Sequence, residues 1–437
     1  MENIIPLNGR IAIVDDDVNQ ALPLISVLSR HNIPYVFYKG NDVKYLPDSP
    51  ENDIRILFLD LNLLGEKIEK EKDIRSVLYS TLRHIISPQN YPYVLVLWSR
   101  QENEYGGVLS NLFLNELKDC SPITIENFVK SDFFPNFSQE LDKSVDDEKI
   151  LVELKRIITN LPAYSYIMQW ENCVHNSADE TIQGVFHDFH SQDKWHNNAN
   201  CILDMFAKSY LEQRYKDAGA EDRAKASLLF LNDVYQDTLE SSVIACAFPK
   251  DHDLSENVEL EYKEDIAAKI NGSLLLSNQY ASSNQPGCVL PIELTKGNEV
   301  YFHELFGYCF NKKNLSNKDA KALKKEIYKS LQPCEVVVTP ACDYAQKKVK
   351  YDRVIHGVII NADFKDYVNS QSDAFYVSPS FEYEKLKRII VLNNRYLVTY
   401  DELDHYPPPL FRIRDSILTE ILSKLARHIS RHGVMNL

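Results

Sequence analysis

Residues 10–17 read RIAIVDDD, and residues 54–60 read IRILFLD. Each is a short, continuously apolar run that stops at aspartate. A run of four to eight apolar residues without polar alternation suits a strand buried on both faces, as in a parallel sheet covered by helices. Residues 93–97 (YVLVL) repeat the pattern and end at Trp98-Ser99-Arg100, and residues 123–129 read as a last strand before Lys130. A further strand is expected at 34–38.

Helical signals lie between these runs. Leu22, Ile25 and Leu28 give one apolar stripe, residues 66–86 are charged and then amphipathic, and 109–117 are helical in pattern. Strands alternating with helices predict an α/β fold at the N-terminus, a doubly wound five-stranded parallel sheet. Asp17 also suits the N-cap of the first helix.

Beyond this the texture changes. Residues 146–239 are mostly helical, and from about 259 onward an α+β region is expected. It contains a hairpin over 287–302 around Lys296-Gly297-Asn298 and a helix at 316–331. Strands follow at 335–339, 353–360 and 388–399, the last turning at Asn393-Asn394, and a final helix covers 413–429. The domains are therefore expected at 1–140, 141–258 (helical) and 259–437 (α+β output of unknown type).

Composition bounds the function. The chain has 437 residues with 48 basic and 63 acidic side chains, a net charge of −15, which argues against a protein built to coat phosphate backbones. No apolar run reaches the ~18 residues of a membrane span, and the N-terminus lacks a signal-peptide pattern, so a cytoplasmic protein without membrane contact is expected. The 8 cysteines form no C-x-x-C, and among only 13 glycines neither a Walker A loop nor G-x-G-x-x-G occurs.

In a doubly wound sheet, ligands bind at the carboxyl ends of the strands. Asp15, Asp16, Asp60 and Lys130 should therefore converge although they are far apart in sequence. Three carboxylates together raise one another's pKa or require a cation, and Mg²⁺ with its all-oxygen preference is the natural one. Lys130 offers a point charge and Ser99 a hydroxyl to a phosphoryl group, while a carboxylate can itself accept phosphate.

With these residues in place, positions 1–135 resemble a response-regulator receiver domain of two-component signalling, a flavodoxin-like fold. The resemblance rests on IAIVDDD, on LFLDLNL at 57–63, on the hydroxyl ending the fourth strand and on the lysine ending the fifth. It implies Asp60 as phosphoacceptor, Asp15 and Asp16 as the acid pair for Mg²⁺, and the Asn62 carbonyl as a further metal ligand. It also implies Lys130 in the family's lysine place. Ser99 takes the switch-hydroxyl place, with Trp98 the other candidate for it, and Phe128 stands near the switch aromatic.

The expected function is then a prokaryotic signalling protein, phosphorylated on Asp60 by a histidine kinase or phosphotransfer protein. It would control or buffer an output through its C-terminal region, in a specialised circuit such as stress response or antiphage defence. Homo-oligomerisation and nucleic-acid binding stay open.

Other constellations are weaker. Cys173, His175, His187, His190 and His196 form a histidine-rich segment without a zinc signature. Cys342 and Asp343 follow a strand, with His356 on the next. They give the alternative reading, a C-terminal hydrolase or nucleic-acid-directed effector with a non-phosphorylated receiver as scaffold. Lys424, Arg427, His428, Arg431 and His432 give the last helix a basic face.

Overall fold

The structure is a computed structural model, and it describes residues 5–6, 10–63, 71–99, 106–134, 147–187, 194–246, 263–279, 285–295, 297–309, 317–340, 351–401 and 407–430. The chain forms two compact units, Met1–Leu203 with Leu228–Leu254, and Asp204–Ser227 with Ser255–Leu437.

The first unit is built on strands β1 (Ile11–Asp15), β2 (Tyr35–Lys39), β3 (Ile56–Leu59), β4 (Val94–Ser99) and β5 (Thr124–Val129). They form one parallel sheet in the order β2-β1-β3-β4-β5, the flavodoxin-like arrangement. The helices here are α1 (Val18–Arg30), α2 (Glu71–Ile85), α3 (Gly106–Asn115), the single turn α4 (Lys130–Phe133), α5 (Asp147–Thr159) and α6 (Pro162–Phe186). Successive strand residues point to opposite faces, so each apolar run feeds two cores. Ile13, Phe58, Val96 and Trp98 pack with Leu24 and Leu28 of α1 and Ile150 and Leu154 of α5. Val14, Leu59 and Leu97 pack with Leu78 and Leu82 of α2 and Leu109 and Leu112 of α3. This two-sided burial is why the central strands β1, β3 and β4 lack polar alternation, and the sheet is compatible with a receiver fold.

Helix α6 begins with Pro162 at its first position, where the missing N–H costs nothing. Its Glu171 lies 3.0 Å from Arg10 and 2.9 Å from Arg55, at the amino ends of β1 and β3. Tyr164 Oη donates to the Arg55 carbonyl at 2.6 Å. Helices α7 (Trp195–Leu211) and α8 (Ala220–Ala245) follow.

The second unit contains helices α9 (Lys263–Leu275), α10 (Glu299–Cys309), α11 (Asn317–Ser330) and α12 (Asp415–Ile429). Its strands are β6 (Leu276–Ser277), β7 (Cys288–Pro291), β8 (Gln332–Val337), β9 (Tyr351–Asn361), β10 (Phe375–Val377), β11 (Phe381–Tyr383), β12 (Leu386–Asp401) and β13 (Phe411–Ile413). They form an antiparallel sheet in the order β10-β12-β9-β8-β7-β13-β6, with β11 beside β12. Leu418, Ile421 and Leu425 of α12 cover one face. Phe306 of α10 and Ile327 of α11 pack against Val358, Ile360 and Val391 on the other.

Two local expectations are corrected. The hairpin over 287–302 has only its first arm, β7; after the turn the chain enters α10. The Asn298 side chain shapes that turn by accepting from Thr295 N at 2.7 Å and donating to the Glu293 carbonyl at 2.9 Å. Residues 388–399 do not fold back at Asn393-Asn394 but continue as the one long strand β12. The asparagines spend their turn chemistry on a bulge instead. Asn393 Oδ1 accepts from Arg395 N at 3.2 Å, and Asn394 Nδ2 donates to the Asp373 carbonyl at 2.8 Å. Register runs Leu392↔Gly357 and then Leu397↔Ile355, so four residues of β12 face the single residue His356 of β9.

Candidate functional site

Asp15 is the last residue of β1, and Asp60 stands one past β3, its N–H donating to the Val14 carbonyl at 2.8 Å to extend the ladder. Lys130 stands one past β5 and opens α4. Local turns aim the carboxylates inward: Asp15 Oδ1 accepts from Asp17 N at 3.0 Å, and Asp60 Oδ1 accepts from Asn62 N at 3.0 Å. That leaves the two Oδ2 atoms to Lys130, whose Nζ donates to Asp15 at 2.7 Å and to Asp60 at 2.8 Å. Its third donor reaches Gln20 Oε1 at 3.4 Å. Lys130 and Asp15 are fully buried, and Asp60 is 3% exposed. Asp17, as expected, caps α1 by accepting from Asn19 N at 3.0 Å.

Asp16 completes the group: ligand oxygens of Asp15, Asp16 and Asp60 lie within 4.8 Å of one another. Burial pushes the Asp15 carboxyl up to about 6, against the pull of Lys130 and with the charge of Asp60 adding to the rise. Asp16 is raised as well, chiefly by burial and then by Asp60. Three carboxylates against one ammonium leave two negative charges in the pocket when all are ionised, and every free donor is an oxygen. Such a set could hold a metal ion, and its all-oxygen donors fit a hard dication. Asn62, exposed two residues beyond Asp60, has its N–H committed to Asp60.

Ser99 closes β4, half-buried and in register with Val129. Trp98 is fully buried, edge-on to Phe58 at 5.9 Å and to Phe134 at 5.8 Å, with Phe133 at 6.1 Å. Its indole Nε1 has no hydrogen-bond partner among the described residues. Phe128 joins the same cluster, 5.0 Å from Phe133. Rings on the turn that Lys130 opens are therefore packed on β4 and β5.

The remaining candidates are dispersed. Cys173 is buried inside α6, and burial lowers the His175 pKa there. His187 caps the end of α6, and His196 Nε2 meets Asn200 on α7 at 3.1 Å. His190, Cys342, Asp343, Arg431 and His432 lie outside the described residues. Lys424 donates to the Ser370 carbonyl at 3.1 Å and Arg427 reaches Asp373 at 3.5 Å, so part of the basic face of α12 is spent within its own unit. His356 has partners that sequence reasoning missed: Tyr301, Glu335 and Tyr400. Gln20 was missed too; its place in the first turn after the aspartates was the only signal.

Among the described residues, no helix is long and apolar enough to cross a membrane. Comparison with protein-family models and with curated proteins finds no match to the chain.

Proposed function

We propose that the first unit is a receiver-type phosphoacceptor in which Asp60 takes a phosphoryl group from a histidine kinase or phosphotransfer protein. The observation that carries this reading is the buried Lys130 bridge between Asp15 and Asp60, with Asp16 beside it. A carboxylate oxygen of Asp60 attacks the phosphorus of a phosphohistidine. The new P–O bond forms as the P–N bond breaks, and the departing imidazole takes a proton from solvent. Lys130 is placed to follow the added negative charge without leaving the pocket, and the Asn62 N–H keeps the attacked carboxylate oriented. Mg²⁺, when held by Asp15, Asp16 and Asp60, supplies positive charge to the phosphoryl oxygens.

Lys130 opens α4, whose Phe133 packs on Trp98 and Phe128, so displacement of the ammonium repacks the β4–β5 face. Turning an output from mostly off to mostly on takes about 5.5 kcal/mol of difference between the two packings. The chain then acts as an effector or as a phosphate sink, in a signalling circuit of prokaryotic type.

The test is incubation with acetyl phosphate and Mg²⁺, read by intact mass. Wild type should gain one phosphoryl group, and Asp60→Asn none. No gain from acetyl phosphate or from any phosphorylated histidine-containing donor would end this reading.

A further inference from the structure

We propose that the second unit binds a zinc-class transition-metal dication on Glu335, His356 and Tyr400, with Tyr301 orienting the imidazole from its far side. The site is separate from the aspartate pocket and does not depend on phosphorylation of Asp60.

The three ligands come from three adjacent strands. Glu335 on β8 is the register partner of His356 on β9, and Tyr400 reaches in from β12. His356 is the one β9 residue that faces the four-residue bulge of β12, and bulges commonly re-aim side chains beside functional sites. The donor atoms form a triangle: His356 Nε2 to Glu335 Oε2 3.4 Å, His356 Nε2 to Tyr400 Oη 3.2 Å, and Tyr400 Oη to Glu335 Oε2 2.9 Å. Tetrahedral bonds of about 2.0–2.2 Å place donors roughly 3.3–3.6 Å apart, so the 3.4 Å edge already matches one face of such a site and the 3.2 Å edge falls just short of it. The third is shorter because the Tyr400 proton lies between the two oxygens. One nitrogen and two oxygens suit zinc and its neighbours.

The charge balance points the same way. Glu335 is 8% exposed and His356 9%, and among the described residues the partners of the carboxylate are Tyr400 and His356, with no Lys or Arg. A buried carboxylate without a permanent cation is costly, and a dication supplies what is lacking.

The two imidazole nitrogens are also held unequally. Tyr400 gives its proton to Glu335, so a hydrogen on Nε2 finds acceptors only at 3.2 and 3.4 Å, both long for N–H···O. Nδ1, by contrast, is fixed at 2.7 Å to the Tyr301 hydroxyl on α10. One firmly tied nitrogen and one loosely tied nitrogen is the disposition of a metal-ligating histidine and its supporting partner. Ligation through Nε2 requires the imidazole proton on Nδ1, where the Tyr301 oxygen accepts it, and the bound dication displaces the Tyr400 proton to solvent.

The experiment uses the full chain, stripped with chelator and held in excess Mg²⁺ so that the aspartate pocket is engaged. Co²⁺ is titrated with the visible spectrum recorded, and Zn²⁺ by calorimetry. Wild type should bind one equivalent, with the intense visible band of four-coordinate cobalt. Glu335→Gln and His356→Asn should lose at least 100-fold in affinity, and Tyr301→Phe, which removes one oxygen and keeps the ring, roughly 10- to 100-fold. Asp60→Asn should bind as wild type does. Absence of saturable uptake by wild type, or uptake unchanged in Glu335→Gln or in a folded Tyr301→Phe protein, would overturn the proposal.

Discussion

The Lys130 ammonium stands 2.8 Å from the Asp60 carboxylate and 2.7 Å from that of Asp15, and Lys130 and Asp15 are sealed from solvent. Removing one partner of a buried charged cluster leaves the others uncompensated, at a cost of about 3–5 kcal/mol. Lys130→Met should therefore lower stability by that amount in urea unfolding at neutral pH. Asp60→Asn, which keeps the shape and removes a charge that repels Asp15, should cost far less. A Lys130→Met protein as stable as wild type would mean that the bridge carries no weight.

The pocket also sets a pH dependence. Asp15 is raised from an ordinary 3.8 to about 6, so between those values the folded chain binds more protons than the unfolded one. Stability from this group is full below about pH 4 and is lost as pH rises through 6, by about 3 kcal/mol. A dication competes for the same oxygens. The rise in Tm on adding Mg²⁺ should thus be larger near pH 7.5 than near pH 5, where protons already neutralise the pocket. Equal gains at both pH values in differential scanning calorimetry would contradict the assignment of the ion to these aspartates.

Much of this pocket could be read from sequence because each element of it is local. An apolar run too short for a helix, ended by Asp15 or Asp60, carries strand, burial and strand-end position in fewer than ten residues. The central strands of the parallel sheet follow from such apolar runs at β1, β3 and β4, while the edge strands β2 and β5 carry a weaker signal. Long-range choices are not written locally. Asn393-Asn394 has the chemistry of a hairpin turn, and only pairing with Gly357 and Ile355 turns it into a bulge. Lys296-Gly297-Asn298 signals a turn but not whether a strand or a helix follows. Glu335, Tyr301 and Tyr400 are ordinary residues in strands and a helix until the antiparallel sheet brings them to His356.

Glu171 exposes a dependence of the sheet on α6. Its carboxylate accepts from Arg10 Nη1 at 3.0 Å and from Arg55 Nε and Nη2 at 3.2 and 2.9 Å, all three side chains mostly buried. Glu171→Gln retains the shape but leaves two guanidinium groups without an anion. Because the cluster is not wholly dry, a loss of about 2–3 kcal/mol is expected, just below the range of about 3–5 kcal/mol for fully buried pairs. Chemical unfolding of the variant measures it. A change below about 0.5 kcal/mol, the scale of surface substitutions, would show that apolar packing alone docks α6.

Trp98 offers an internal reporter of Asp60. The chain has three tryptophans; Trp170 and Trp195 are about half exposed, whereas Trp98 is fully buried with an indole N–H that has no acceptor among the described residues. An unsatisfied buried donor costs about 1–3 kcal/mol, so any rearrangement that offers it an acceptor is favoured by that amount. In the resting chain Trp98 should emit at short wavelength, as an indole in apolar surroundings. Under the proposed receiver reading, a phosphoryl group on Asp60 would draw on Lys130, and through α4 on Phe133 and Phe134, which pack against the indole. In the double variant Trp170→Phe/Trp195→Phe, acetyl phosphate with Mg²⁺ should shift the emission to the red, and adding Asp60→Asn should abolish the shift. A phosphorylated protein, verified by mass, whose Trp98 emission stays unchanged would show that the signal leaves the pocket by some route other than the β4–β5 face.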